Sequence, residues 1–173
     1  MLKKYSAFLD TLNKGLFFVV AALAASMTLI MLYQVVLRYG FNAANIWAEE
    51  LAKFMFVWVT MLASSMAIRK NVHLKVDLFI DLMKPKPRLL FQIVSYIVIL
   101  GFLVYLCKLG ITLMGNTMVN KSAGLRVPMA IPYAAVPVGA FLMSLTCVEF
   151  IFKRVEELQA LLKRDAESGE AES

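Results

Sequence analysis

The chain has 173 residues, 61% of them apolar, with a mean hydropathy of +0.73, a pI near 9.4 and a formal net charge of +6. Soluble domains sit nearer about 45–50% apolar, and so small a fold has too little interior to hide the surplus, which excludes an ordinary soluble domain. The basic charge lies in loops between apolar runs, without the stripe of cations and aromatics that a nucleic-acid partner needs.

A bilayer core about 30 Å thick is crossed by about 20 helical residues, and four stretches are long enough. Lys3, Lys4 and Lys14 precede the first, Gly15–Leu37, a charge-free run of 23 residues. A secretory signal core is only about 7–15 residues long, so this run reads as a retained span and signal anchor. Ahead of it Leu2, Tyr5, Leu9, Leu12 and Leu16 recur at helical spacing, with Lys3, Lys4, Asp10 and Lys14 elsewhere on the circumference. That pattern predicts a short interfacial amphipathic helix feeding the span. The second span covers Ile46–Ile68, the third runs from Leu89 to about Asn116, and the fourth from Val127 to about Phe152. The runs are continuously apolar, so helices are expected rather than the alternating strands of a barrel.

Between spans two and three, Leu74, Leu78 and Leu82 lie four apart beside Asp77 and Asp81, which predicts a second interfacial helix. Lys84-Pro85-Lys86-Pro87 then ends it, because a residue before proline avoids the helical region. Pro128, Pro132 and Pro137 open or kink the start of span four. The expected fold is therefore an all-α integral membrane protein with four transmembrane helices in one domain, residues 1–164, followed by a disordered acidic tail at 165–173. The N-terminus, the second loop and the C-terminus hold 13 Lys and Arg against 5 on the other side, so both termini are expected in the cytoplasm.

Catalytic constellations are not visible. His73 is the single histidine and falls in a loop, there is no CxxC and no phosphate-cradling glycine loop, and neither a metal site nor a cofactor is expected. Cys107 and Cys147 fall near opposite ends of antiparallel helices, too far apart for a disulfide. Spans one and three contain no carboxylate, whereas a proton-coupled carrier needs an acidic group deep in a span. Glu149 falls near the inner end of span four.

The polar candidates gather at the outer rim. Asn45 can cap span two, and Glu49 and Glu50 then suit the positive end of its dipole. Glu49 and Lys53 are four apart in the favourable order for pairing. Trp47 fits an aromatic belt, while Trp58, eleven residues on, shares its face nearer mid-membrane. Arg38, Glu49, Glu50 and Lys53 form either a cluster that fixes the first loop or docks a partner, or a set of solvated interface charges. An ion pair of Arg38 with Glu49 or Glu50 is expected from their shared location. Lys108 either snorkels to headgroups or pairs with a partner carboxylate, and Arg126 joins the rim from the last loop.

The string RYGFN at 38–42, followed by WAEELAKFMFVW at 47–58, RKNVHLKVD at 69–77 and PMAIPYAAVPVG at 128–139, resembles the small membrane subunit of tripartite ATP-independent periplasmic (TRAP) transporters, the DctQ-like family. The resemblance covers residues 15–150 and departs at Ala63-Ser64-Ser65, where a glycine is expected. It implies a bacterial inner-membrane subunit that is not an enzyme. The subunit would join a large elevator-type membrane permease, contact membrane lipids and help dock a periplasmic substrate-binding protein. The assembly would drive uptake of an organic acid, such as a dicarboxylate or a sialic acid, with sodium. A different class is a self-contained carrier built as a homo-oligomer of four-span chains, which requires an essential carboxylate embedded in the membrane.

Overall fold

The computed structural model describes residues 2–43, 45–69 and 85–170, and of residues 2–4, 85, 86 and 164–170 only the backbone. It consists of helices α1 (Leu2–Gly40), α2 (Ile46–Arg69), α3 (Pro85–Thr117), the single turn α4 (Ala130–Tyr133) and α5 (Ala135–Glu170). Four stretches, Tyr5–Gly40, Ile46–Arg69, Pro87–Thr117 and Ala130–Lys163, are long and apolar enough to cross a membrane. The four expected spans are therefore present. The second expected interfacial helix and His73 lie outside the described residues.

Three boundaries differ from the sequence reading, each for a local reason. The first interfacial helix is not separate. Leu2 to Gly40 is one helix of 39 residues, because no proline interrupts it and propagation of an existing helix is favourable. Pro85 and Pro87 begin α3 instead of only closing what precedes it, since proline is tolerated in a first helical turn, where its missing N–H has no partner to lose. The acidic tail is helical as far as Glu170, because α5 runs on through strong helix formers such as Leu161, Leu162, Lys163 and Arg164.

α1 closes with Asn42 in the left-handed region (φ 53°), a conformation asparagine tolerates, while the amides of Phe41 and Ala43 both return to the Leu37 carbonyl. The last span is broken near its start, where Pro132 and Pro137 frame the α4–α5 junction. The Ala134 amide still donates to the Ala130 carbonyl at 2.9 Å, and the Val138 amide to Ala134 at 3.3 Å.

The helices pack chiefly as neighbours in the lateral order α1, α2, α5, α3, so α5 is the hub and α1 the outermost helix. The core lies between α3 and α5, where Tyr96 and Phe150 stack with ring centroids 5.4 Å apart beside Leu103, Met143 and Cys147. Cys107 and Cys147 are free thiols, the former 3.7 Å from the Pro137 carbonyl. On the other flank of α5, Gly139 lets the helix sit against α2. A Cβ added there would lie 2.8 Å from the Met61 Cβ and 3.2 Å from its carbonyl oxygen. Small residues set helix approach in lipid, where packing replaces the hydrophobic drive. Gly139→Leu is therefore expected to force α2 and α5 apart and to lower stability by about 1–3 kcal/mol. Equilibrium unfolding in mixed micelles checks this, and an unchanged midpoint refutes it.

Candidate functional site: two polar clusters at opposite ends

Charged side chains collect at the two ends of the helix row. The end where α1 begins and α5 finishes holds an ion network that ties three helices together. Glu149 of α5 is 1% exposed. Arg69, the last residue of α2, donates from one guanidinium nitrogen to Glu149 Oε2 at 2.5 Å and from another to Asp10 Oδ1 of α1 at 2.6 Å. The latter nitrogen also reaches the Ser6 carbonyl at 3.0 Å. Lys153, one turn beyond Glu149, places Nζ 2.6 Å from Glu149 Oε1. Tyr5 donates its hydroxyl to the Leu145 carbonyl at 3.1 Å, fastening the start of α1 to α5. A buried carboxylate is costly unless paired and hydrogen-bonded, and two cations meet that requirement here.

At the opposite end, Glu49 and Glu50 point different ways because adjacent helical residues differ by about 100° around the axis. Glu49 pairs with Lys53 at 2.6 Å, with both side chains exposed. Glu50 turns towards the segment joining α3 to α4. Its Oε1 accepts from the Ala123 amide at 3.0 Å and its Oε2 from Gly124 and Leu125, both at 2.9 Å. That segment is a tight turn. Ser122 and Val127 share a backbone bond at 2.9 Å, Lys121 bridges Pro128, and Arg126 is held left-handed at φ 55°. Gly124 lies where a Cβ would meet the Trp47 amide nitrogen and Glu50 Oε2, both at 3.0 Å. A glycine lets the turn reach the first turn of α2, where free amides and the helix dipole already favour a carboxylate.

The expected pairing of Arg38 with Glu49 or Glu50 is not formed among the described residues. Lys53 holds Glu49 and the turn amides hold Glu50, which leaves Arg38 exposed across the α1–α2 groove. Trp47, 39% exposed, packs its ring 6.4 Å from Tyr33 of α1. Trp58 is half-buried. Lys108 is exposed on α3, beside a groove of about 620 Å3 between α3 and α5, and makes no ion pair with a described residue. Arg126 and Lys121 are exposed at the turn.

Neither the Asp10–Arg69–Glu149–Lys153 network nor the Glu50 clamp is expected from the sequence. Only Lys153, four residues from Glu149, carried a local signal. No group of three or more His, Cys, Asp or Glu that could hold a metal occurs among the described residues.

The family profile described as the DctQ component of tripartite ATP-independent periplasmic transporters matches residues 27–157. The chain is 24% identical over 193 residues to the C4-dicarboxylate TRAP transporter small permease protein DctQ of Vibrio cholerae, covering 89% of this chain and 83% of that one. It is 30% identical over 144 residues to the isethionate TRAP transporter permease protein DctMQ of Oleidesulfovibrio alaskensis, covering 76% of this chain but 22% of that longer protein. Over 59 residues it is 44% identical to the sialic acid TRAP transporter permease protein SiaT of Haemophilus influenzae, covering 34% of this chain and 10% of that one.

Proposed function

Because the chain belongs to the DctQ component family of tripartite ATP-independent periplasmic transporters, we propose that it is the stator of such a transporter, the fixed part against which a large elevator-type permease moves. It is a multi-pass protein of the bacterial inner membrane. The observation that carries the proposal is where the charge goes. Glu149, the one buried charged side chain among the described residues, is neutralised by Arg69 and Lys153. A carboxylate held by two cations fastens helices and offers no vacancy for a travelling proton or ion. Glu50 likewise fastens a turn to α2. A support for a moving neighbour needs such ties at both ends.

The excess of Lys and Arg at the end where α1 begins and α5 finishes supports placing that end in the cytoplasm. The opposite rim, with Trp47, Lys121 and Arg126, then faces the periplasm. There it contributes to docking a substrate-binding protein. Arg126 favours this reading, since left-handed backbone at a residue with a Cβ costs on the order of 1–2 kcal/mol. Such strain at an exposed arginine fits selection for its side chain rather than for the turn. The relatives named for C4-dicarboxylate, isethionate and sialic acid share an anionic organic substrate. The assembled transporter is accordingly assigned an organic acid, taken up with sodium, at a site on the large subunit.

Reconstitution tests the proposal. Liposomes containing this chain alone are expected to leave gradients of organic acid unchanged, and the chain pulled down in mild detergent is expected to bring a large membrane permease with it. Concentrative uptake by the chain alone would refute the stator and favour a self-contained homo-oligomeric carrier.

A further inference from the structure

The outermost helix pair carries a feature that neither polar cluster uses. A groove of about 630 Å3 runs between α1 and α2. Its α1 wall is a single stripe, Met27, Met31, Gln34 and Arg38, spaced four, three and four residues apart. Its α2 wall carries Glu49 and Lys53 at the rim and Phe56 and Val57 below, with buried Ala52 as the floor. The polar residues are thus at one end and the apolar ones at the other. Arg38 stands on one wall and Lys53 on the other, so the mouth carries two cations against the one carboxylate of Glu49. Arg38 makes no ion pair at contact distance with a described residue, although its charge reaches Glu49.

The length of the groove identifies what fits it. From Arg38 to Met27 is 11 residues, which at about 1.5 Å each is roughly 16 Å. One leaflet of a bilayer core about 30 Å thick is about 15 Å deep. A partner helix would need a track along the whole span, whereas this groove is one leaflet long and ends in apolar side chains. Arg38 and Lys53 against the Glu49 carboxylate leave one net positive charge at headgroup level above an apolar slot, which matches a single phosphodiester on an acyl chain. Methionines at 27 and 31 suit a flexible occupant, because their unbranched side chains adapt to irregular surfaces. The exposure of α1 over its apolar window leaves the slot open to the surrounding lipid.

We propose that the α1–α2 groove is a binding site for one anionic glycerophospholipid, its phosphate held by Arg38 and by Lys53, which shares its ammonium with Glu49, and one acyl chain lying along Met31, Met27 and Phe56. This site is independent of the stator reading, since it needs only the geometry of two adjacent helices. A lipid held there fills the outer side of the pair and fixes the angle between α1 and α2.

Native mass spectrometry of the full chain, released from mild detergent after equilibration with dioleoylphosphatidylglycerol, tests the site. The wild type is expected to retain one lipid. Arg38→Gln combined with Lys53→Gln is expected to lower retention roughly tenfold or more, because it leaves the Glu49 carboxylate facing the phosphate without a cation. Met31→Trp, which fills the slot and leaves both charges in place, is expected to lower it as well. A thermal melt of each variant in lipid-free detergent separates loss of the site from loss of the fold. Glycerol phosphate at the same concentration is expected not to compete, and dioleoylglycerol is expected not to be retained. Undiminished retention in both folded variants overturns the proposal. Equal binding of glycerol phosphate, or of dioleoylglycerol, overturns it too, as a free-phosphate site or a merely greasy surface. If Arg38→Glu abolishes co-purification of the large permease while lipid retention is unchanged, the mouth serves a partner carboxylate and the proposal fails.

Discussion

Replacing Glu149 with leucine is expected to lower the stability of the isolated protein by about 3 kcal/mol, the lower end for a broken buried pair, because Arg69 loses its buried counter-ion among α1, α2 and α5 and keeps only the exposed Asp10. The Arg69 side chain is only 10% exposed, so it cannot recover its hydration without moving the end of α2. The terminal half of α1 should loosen first, since Arg69 also holds Asp10 and the Ser6 carbonyl. The double variant Arg69→Met with Glu149→Leu is expected to regain most of the loss, because an apolar pair of similar volume removes both desolvation costs. Lys153 and Asp10 are 44% and 62% exposed and can turn to solvent or headgroups when their partners go. Equilibrium unfolding of wild type, both singles and the double in mixed micelles measures the coupling. A double variant as unstable as the worse single would show that the network does not tie the helices.

The second large effect is expected at Glu50. Glu50→Gln removes the charge and leaves one acceptor oxygen where three amides now converge. Hydrogen bonds to a charged acceptor are the strong ones, and an amide left without a partner opens more readily. Exchange at Ala123, Gly124 and Leu125 should quicken roughly tenfold or more, while amides of α3 and α5 keep their protection. Gly124→Val should produce the same local signature with the carboxylate intact, because its side chain collides with the Trp47 amide and Glu50. In the assembled transporter both variants should reduce uptake without reducing the yield of the complex. Hydrogen exchange read by mass spectrometry and uptake in liposomes separate the two consequences. Unchanged exchange in Glu50→Gln would show that Glu50 does not clamp the turn.

The spans are legible in the sequence because each is a continuous apolar run, and in lipid a continuous apolar run has only a helix to adopt. The Glu49–Lys53 pair is legible for a related reason, since partners four apart on one helix announce themselves by spacing. The terminal network is not, because Arg69 meets Asp10 across 59 positions and Glu149 across 80. Nothing local to Arg69 distinguishes it from Lys70, which follows it. The Glu50 clamp spans 73 to 75 positions, and its acceptors are met by backbone amides, which carry no side-chain signature. What the sequence does contain is the adjacency of Glu49 and Glu50: when one points at Lys53, the other must look elsewhere. The helix α5 runs to Glu170, into a segment whose acidic composition alone does not announce a helix, because a long helix propagates readily.

α1 begins, and α5 finishes, on the same side of the helix row, and Tyr5 and Lys153 keep the two strands of chain adjacent through Leu145 and Ser6. A second polypeptide whose own end emerges on that side can therefore be spliced to this one by a short tether, with no extra crossing to restore polarity. The relatives named permease protein DctMQ and permease protein SiaT are longer than this chain, which spans 22% and 10% of them.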